Sequence, residues 1–201
     1  MTLQTQLYSN VLPKKYLKEI QEIIRGNEFP WFFYEEATVG VGSHPKIKHK
    51  DMSTTPGMAH VFMTEVDNKT NASNHWPLIW PMKFFMSEKT GLSFGHVFRC
   101  KVNLLFQSHE KQKESFNTPH IDHDDAWDYC NVLFFPFDSD GDFFIFKEHH
   151  KDGIPKTVNI EEVITPKENS VVVFDGWKYH ASSNPIEDQT RMTINWTIKG
   201  K

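Results

Sequence analysis

The spacing of apolar residues changes near residue 94, from helical upstream to alternating downstream. Residues 12–25 place Leu12, Tyr16, Ile20 and Ile23/Ile24 at helical spacing, with Pro13 suited to a first turn and Gly26 to a stop. Residues 75–90 gather Leu78, Met82, Phe85 and Met86 on one face and predict a second helix. Pro77 fits its start, whereas Pro81 falls inside it and blurs the boundary. Residues 40–57 are poor in apolar side chains and bracketed by glycine and proline, which predicts a loop as long as many lids and binding loops. Beyond Phe94 strands are predicted over 96–107, 116–122, 129–137, 142–147, 157–160, 170–175 and 190–198. Turn residues Asp138-Ser139-Asp140-Gly141 and Pro166-Lys167-Glu168-Asn169 separate some of them. Many short strands in one chain of this length predict a jelly-roll or barrel rather than a parallel sheet.

Two of these strands alternate cleanly. Arg191, Thr193, Asn195 and Thr197 face one way, and Met192, Ile194, Trp196 and Ile198 the other. Upstream, Arg99, Lys101, Asn103 and Gln107 alternate with Cys100, Val102, Leu104 and Phe106. Each pattern puts one face on a core. The polar face upstream is either a solvent edge or, through Arg99 and Asn103, part of a cavity. An arginine facing into a barrel would be a buried cation in need of a partner.

At 201 residues the chain is expected to form one domain, and its seventeen Phe and six Trp supply ample core material. A formal charge of -4 gives no overall basic field to draw in nucleic acid. Cys100 and Cys130 make neither a zinc motif nor a disulfide framework and fit reduced thiols of a cytoplasmic protein. The first twenty residues contain no apolar signal core, and no apolar run approaches the roughly 18 residues that span a membrane.

Chance supplies His-x-Asp pairs readily, and this chain has four: His49/Asp51, His120/Asp122, His123/Asp125 and His150/Asp152. The pair at 49 lies in the polar loop and the pair at 150 in a charged stretch. The pair at 120 ends the run SFNTPHID, with an apolar strand after a short acidic turn. Residues i and i+2 of an extended segment face the same side, so both side chains can converge on one metal. The overlapping pair at 123 competes with it. A third ligand must come from elsewhere. His180 sits just after the strongly β-forming run Val171–Phe174. Two histidines and a carboxylate suit divalent iron and leave open positions.

The ordered set His120-Ile121-Asp122, His180 and Arg191 resembles the iron(II)/2-oxoglutarate-dependent dioxygenases, in their prolyl-hydroxylase-like branch. The phrases DSDGDFFIF and VVVFDGWKYHASSNP are similar to members encoded by bacteriophages. The resemblance implies a mainly β chain with N-terminal helices, folded as a double-stranded β-helix of the jelly-roll, cupin-like kind. It implies one oxygenase domain over 1–201, with helical support over 1–93 and a catalytic β core over 94–201. His120, Asp122 and His180 match the Fe(II) ligands. Arg191 matches the residue that binds the distal carboxylate of 2-oxoglutarate, and Asn103 falls on a strand that helps hold that cosubstrate. O2 completes the set, and hydroxylation is the usual outcome. The chain departs from prolyl hydroxylases where they place tyrosines, having Leu105 and Phe134-Phe135 instead.

Expected substrate contacts are Arg99, His123, Asp124 and Trp196, the last lying near a position that relatives place beside the iron. The acidic, aromatic stretch from His123 to Asp128 would give a mouth favouring basic or neutral substrates. The expected substrate is a protein or peptide side chain, prolyl-like, or else a small molecule. The expected location is the cytoplasm, that of a host cell if the chain is phage-encoded. The alternatives are a non-catalytic jelly-roll binding protein and a metal-dependent cupin enzyme without 2-oxoglutarate. A calcium loop at Asp138–Asp142 fails, because Phe143 stands where the EF-hand pattern needs glycine.

Overall fold

In the computed structural model the described residues are 3–36, 52–53, 55–108, 115–123 and 127–199. The loop expected over 40–57 lies mostly outside them. Its described end forms the short strand β3 and the start of β4.

The first elements are β1 (Gln6–Ser9), α1 (Lys14–Ile24), β2 (Phe32–Tyr34), β3 (Met52–Ser53), β4 (Gly57–Val66) and β5 (Lys69–Ala72). Then come α2 (Trp76–Ile79), α3 (Met82–Thr90), β6 (His96–Phe106), β7 (Phe116–Asn117), β8 (Tyr129–Phe135) and β9 (Phe143–His149). The chain closes with β10 (Ile160–Ile164), β11 (Ser170–Asp175), β12 (Lys178–Ser182) and β13 (Thr190–Lys199). A large antiparallel sheet runs β1-β11-β8-β13-β6-β4-β2, with β5 paired to β4. A smaller sheet runs β10-β9-β12, and β3 pairs with β7 in parallel. Two facing sheets make the jelly-roll that the strand pattern predicted.

The segment before residue 93 is less helical than expected. It gives β1, β2, β4 and β5 to the large sheet. In β4 the central residues His60, Phe62 and Met63 are all buried, so the strand shows no clean two-residue alternation to announce it. The expected helix over 75–90 breaks in two at Trp80-Pro81, because proline has no N–H to continue the ladder. α1 buries Leu17, Ile20 and Ile24 at helical spacing. Together with Met82 and Met86 of α3, they cover the outer face of the large sheet, where Cys100, Val102, Met192, Ile194 and Trp196 lie.

Between the two sheets Leu133, Phe135, Phe143, Ile145, Val172 and Phe174 form a second core. β8 sits inside the large sheet with every residue buried, so it reads as an apolar run broken only by Asn131. The turn before β11 ties down the N-terminal segment. Asn169 adopts φ 58°, accepts from Leu12 N at 2.8 Å and donates to Leu12 O at 2.9 Å. β1 then pairs with β11 along Gln6–Ser9.

Candidate metal centre and anion site

His120 and His180 come from different segments joined by one reciprocal backbone pair. His120 N donates to His180 O at 3.0 Å, and His180 N donates to His120 O at 3.0 Å. Such a pair aims both side chains to one side of the sheet, and the imidazole centroids lie 4.5 Å apart. Each ring is oriented by a carbonyl two residues earlier: Nδ1 of His120 lies 3.0 Å from Thr118 O, and Nδ1 of His180 lies 3.1 Å from Lys178 O. A carbonyl only accepts, so each Nδ1 carries the proton and each Nε2 keeps its lone pair. Asp122 Oδ2 lies 3.3 Å from His180 Nε2, and one ligand atom of each of the three residues falls within 4.8 Å of the others. Two donors on neighbouring positions of a metal bound at about 2.1 Å would lie about 3 Å apart. The residues fit a divalent metal held on one face.

The carboxylate is held by its own partners. Arg99 Nη2 donates to Asp122 Oδ1 at 2.6 Å, and Asn195 Nδ2 donates to Asp122 Oδ2 at 3.0 Å. Burial alone would push the Asp122 pKa up, but the Arg99 guanidinium first, with the neighbouring His180 and Lys101, holds it well below the usual carboxylate range. His120 is pushed down to about 3, by burial first and by His180 second. The site therefore offers an ionised carboxylate and a neutral imidazole at neutral pH, the forms that ligate metal.

At the other end of the same cleft stands Arg191, 3% exposed. Its Nε donates to Gly141 O at 2.7 Å, while Nη2 has no partner among the described residues. Burial lowers its pKa to about 10, partly offset by Asp142. The neighbouring walls are apolar: Leu105 lies opposite Arg191 in the ladder, and the Phe135 ring centroid is 6.0 Å from the guanidinium carbon. Gly141 is required here, since a Cβ would come within 2.8 Å of Arg191 Cδ and 2.9 Å of the Pro185 and Ser183 backbone. The turn read from Asp138–Gly141 also clamps the loop before β13, with Asp140 accepting from the backbone N–H groups of Ile186, Glu187 and Asp188.

The structure brings His120, Asp122, His180, Arg191 and Asn103 into one cleft. Arg99 is placed on Asp122 rather than free to meet a substrate. Trp196 is not at the site. The alternation of β13 turns it to the outer face, where it is fully buried against Trp76 and Phe94. The His123 ring packs at a tilt against Phe98, with centroids 4.2 Å apart, and against Trp127 at 4.7 Å, in an aromatic group apart from the cleft lining. Asp124 lies outside the described residues. Asn195, Lys101 and Gly141 went unassigned from sequence. The alternation of β13 and β6 already put the first two on the correct face.

No family model matches the sequence, and no curated protein matches it. Solved structures do match the fold. An oxidoreductase of the 2OG-Fe(II) oxygenase family from Burkholderia pseudomallei superposes with TM-score 0.64 at 15% identity, covering 97% of this chain and 84% of that one. The epimerase SnoN, solved with Fe3+, alpha ketoglutarate and nogalamycin RO, gives 0.58 at 12% identity over 97% and 78% of the two chains. The carbocyclase SnoK from nogalamycin biosynthesis gives 0.58 at 9% identity over 97% and 79%. The chain thus shares the jelly-roll fold of the 2-oxoglutarate oxygenases.

Proposed function

We propose that residues 1–201 form a single-domain Fe(II)- and 2-oxoglutarate-dependent oxygenase that hydroxylates its substrate with O2. The observation that carries this reading is the shared cleft: a largely buried His-Asp-His triad, and an arginine whose Nη2 has no partner among the described residues. A buried guanidinium of this kind calls for an anion, and a carboxylate fits it in bidentate geometry.

His120, Asp122 and His180 would hold the iron, which when bound supplies O2 activation coupled to decarboxylation of 2-oxoglutarate. Balanced overall, substrate C–H, O2 and 2-oxoglutarate give C–OH, succinate and CO2. Arg191 binds the distal carboxylate and fixes the cosubstrate's direction. Arg99 and Asn195 orient the Asp122 carboxylate and keep it ionised. Leu133, Phe143 and Phe174 line the cleft and limit water around it. The substrate is a protein side chain of the prolyl type or a small molecule, and the protein acts in the cytoplasm. Among the described residues no helix is long and apolar enough to cross a membrane.

Anaerobic protein titrated with Fe(II) and then 2-oxoglutarate should develop a visible metal-to-ligand charge-transfer band that His120→Ala abolishes. Folded protein that binds iron yet shows no band would overturn the reading.

A further inference from the structure

The two ligands of the His-x-Asp pair are fastened to different sheets. His120 joins the smaller sheet, through its reciprocal backbone pair with His180 of β12. Asp122, two residues on, belongs to no strand. Its carboxylate is held by Arg99 of β6 and Asn195 of β13, both in the large sheet. A side chain is aimed only as well as its own backbone is held, so Asp122 needs a tie that no ladder supplies.

That tie comes from Tyr129, the first residue of β8. His123 N donates to the Tyr129 hydroxyl at 3.1 Å, and the same hydroxyl donates to His123 O at 2.7 Å. A phenol hydroxyl both donates and accepts, so one oxygen serves both backbone groups of the residue after the ligand. In an antiparallel ladder a neighbouring strand would supply those two bonds. Here one side chain of the large sheet replaces that strand. Burial, with Asp122 adding to it, pushes the Tyr129 pKa far above the ordinary phenol range, so the hydroxyl keeps the proton it donates.

The ring that carries the hydroxyl is itself fixed. Tyr129 is 0% exposed, and its centroid lies 5.5 Å from that of Trp127 and 5.6 Å from that of Trp177. Gly176, just after β11, leaves the space for it: a Cβ there would come within 2.1 Å of Tyr129 Cε2. Gly176 N also donates to Tyr129 O at 3.0 Å. The glycine is needed for room, since its φ is not positive.

From this geometry we infer that Tyr129 is a positioning residue for the metal: through the backbone of His123 it fixes Asp122 against the large sheet, at the place where its carboxylate can share an ion with His120 and His180. The inference rests on the metal-binding part of the reading above and needs neither 2-oxoglutarate nor any particular substrate. Losing a group that orients a ligand typically weakens metal binding about 10–100-fold. The coupling is reciprocal, so a clamp that favours the ion tenfold must itself be favoured tenfold by the ion.

Co(II) and Zn(II) are the probes. In chelator-competition titration Tyr129→Phe, which keeps the ring and removes the hydroxyl, should bind Co(II) at least tenfold more weakly, with altered visible bands of the bound ion. Tyr16→Phe removes a hydroxyl bonded to Leu78 O on the outer side of the large sheet and should bind within twofold of the unaltered protein. That variant controls for a general loss of stability. In the unaltered protein, hydrogen exchange at the His123 amide should slow at least tenfold when Zn(II) is added. Affinity within twofold and unaltered Co(II) bands in Tyr129→Phe overturn the inference and leave the metal reading standing. If that variant does not fold, the amide decides: tenfold slowing supports the inference, and unchanged exchange overturns it. An unaltered protein that binds neither ion refutes the metal reading, and the inference with it.

Discussion

Replacing Arg191 with methionine should stabilise the free protein while removing its affinity for dicarboxylates. Arg191 is 3% exposed, with Nε bonded to Gly141 O and Nη2 without a partner among the described residues. Its pKa is lowered from the ordinary guanidinium range to about 10, which corresponds to roughly 3 kcal/mol of destabilisation of the charged form. A base with a lowered folded-state pKa carries its full penalty below that pKa, here below about pH 10, and sheds it as pH rises beyond that toward the ordinary guanidinium range. Methionine removes the charge and keeps most of the volume, but it gives up one hydrogen bond to Gly141. The expected net gain is about 1–3 kcal/mol at pH 7.5. At about 2–4 °C per kcal/mol for a chain of this size, Tm should rise by several degrees. Cosubstrate binding should move the other way, losing about 3–5 kcal/mol, or a hundredfold or more. Thermal denaturation of the metal-free protein reads the first effect. Tm in Mn(II) with 2-oxoglutarate reads the second: the unaltered protein should gain about 2.7 kcal/mol at a hundredfold excess over Kd, and the variant almost nothing. A variant that is less stable when free, and still stabilised by 2-oxoglutarate, would refute the reasoning about Arg191.

Three further outcomes are expected. Asn195→Leu removes one of the two side chains that orient Asp122 and should weaken metal binding about 10–100-fold in a chelator-competition titration; unchanged affinity would count against that role. His120 stays neutral in the fold down to about pH 3, whereas the unfolded chain protonates it near pH 6.5. Stability of the metal-free protein should therefore fall as pH drops from 6.5 toward 3, by up to about 1.4 kcal/mol per pH unit from this group. His120→Gln should flatten that slope in urea unfolding series. Gly141→Ala would drive a Cβ into Arg191 and the Ser183–Pro185 backbone, costing about 1–3 kcal/mol of stability and lowering 2-oxoglutarate affinity without changing metal affinity.

Strand periodicity in the second half was legible because β6 and β13 have one polar and one apolar face, and that alternation survives in sequence. β4 was not legible, since consecutive central residues are buried there and the two-residue signal is erased. The ligand set could be assembled from order and spacing. What holds it could not: the reciprocal backbone pair between residues 120 and 180 is a contact over a long separation with no local signature. Trp196 shows the converse. Its place in the alternating strand already turned it away from the polar face, and the structure follows the alternation rather than the family position.

The pairing of β1 with β11 has a practical consequence for anyone producing this protein. β11 reads Ser-Val-Val-Val-Phe-Asp, is buried throughout, and lies next to the sheet's outermost strand. Only four mainly exposed residues, Gln6–Ser9, stand between its backbone and neighbouring molecules. That short strand is a guard: it occupies hydrogen-bonding groups that would otherwise template another chain. Trimming the N-terminus past residue 9 would leave the side chains of the cleft untouched and uncover a valine-rich edge of the kind that seeds fibrils. Material lost to aggregation after such a cut would say nothing about the cleft.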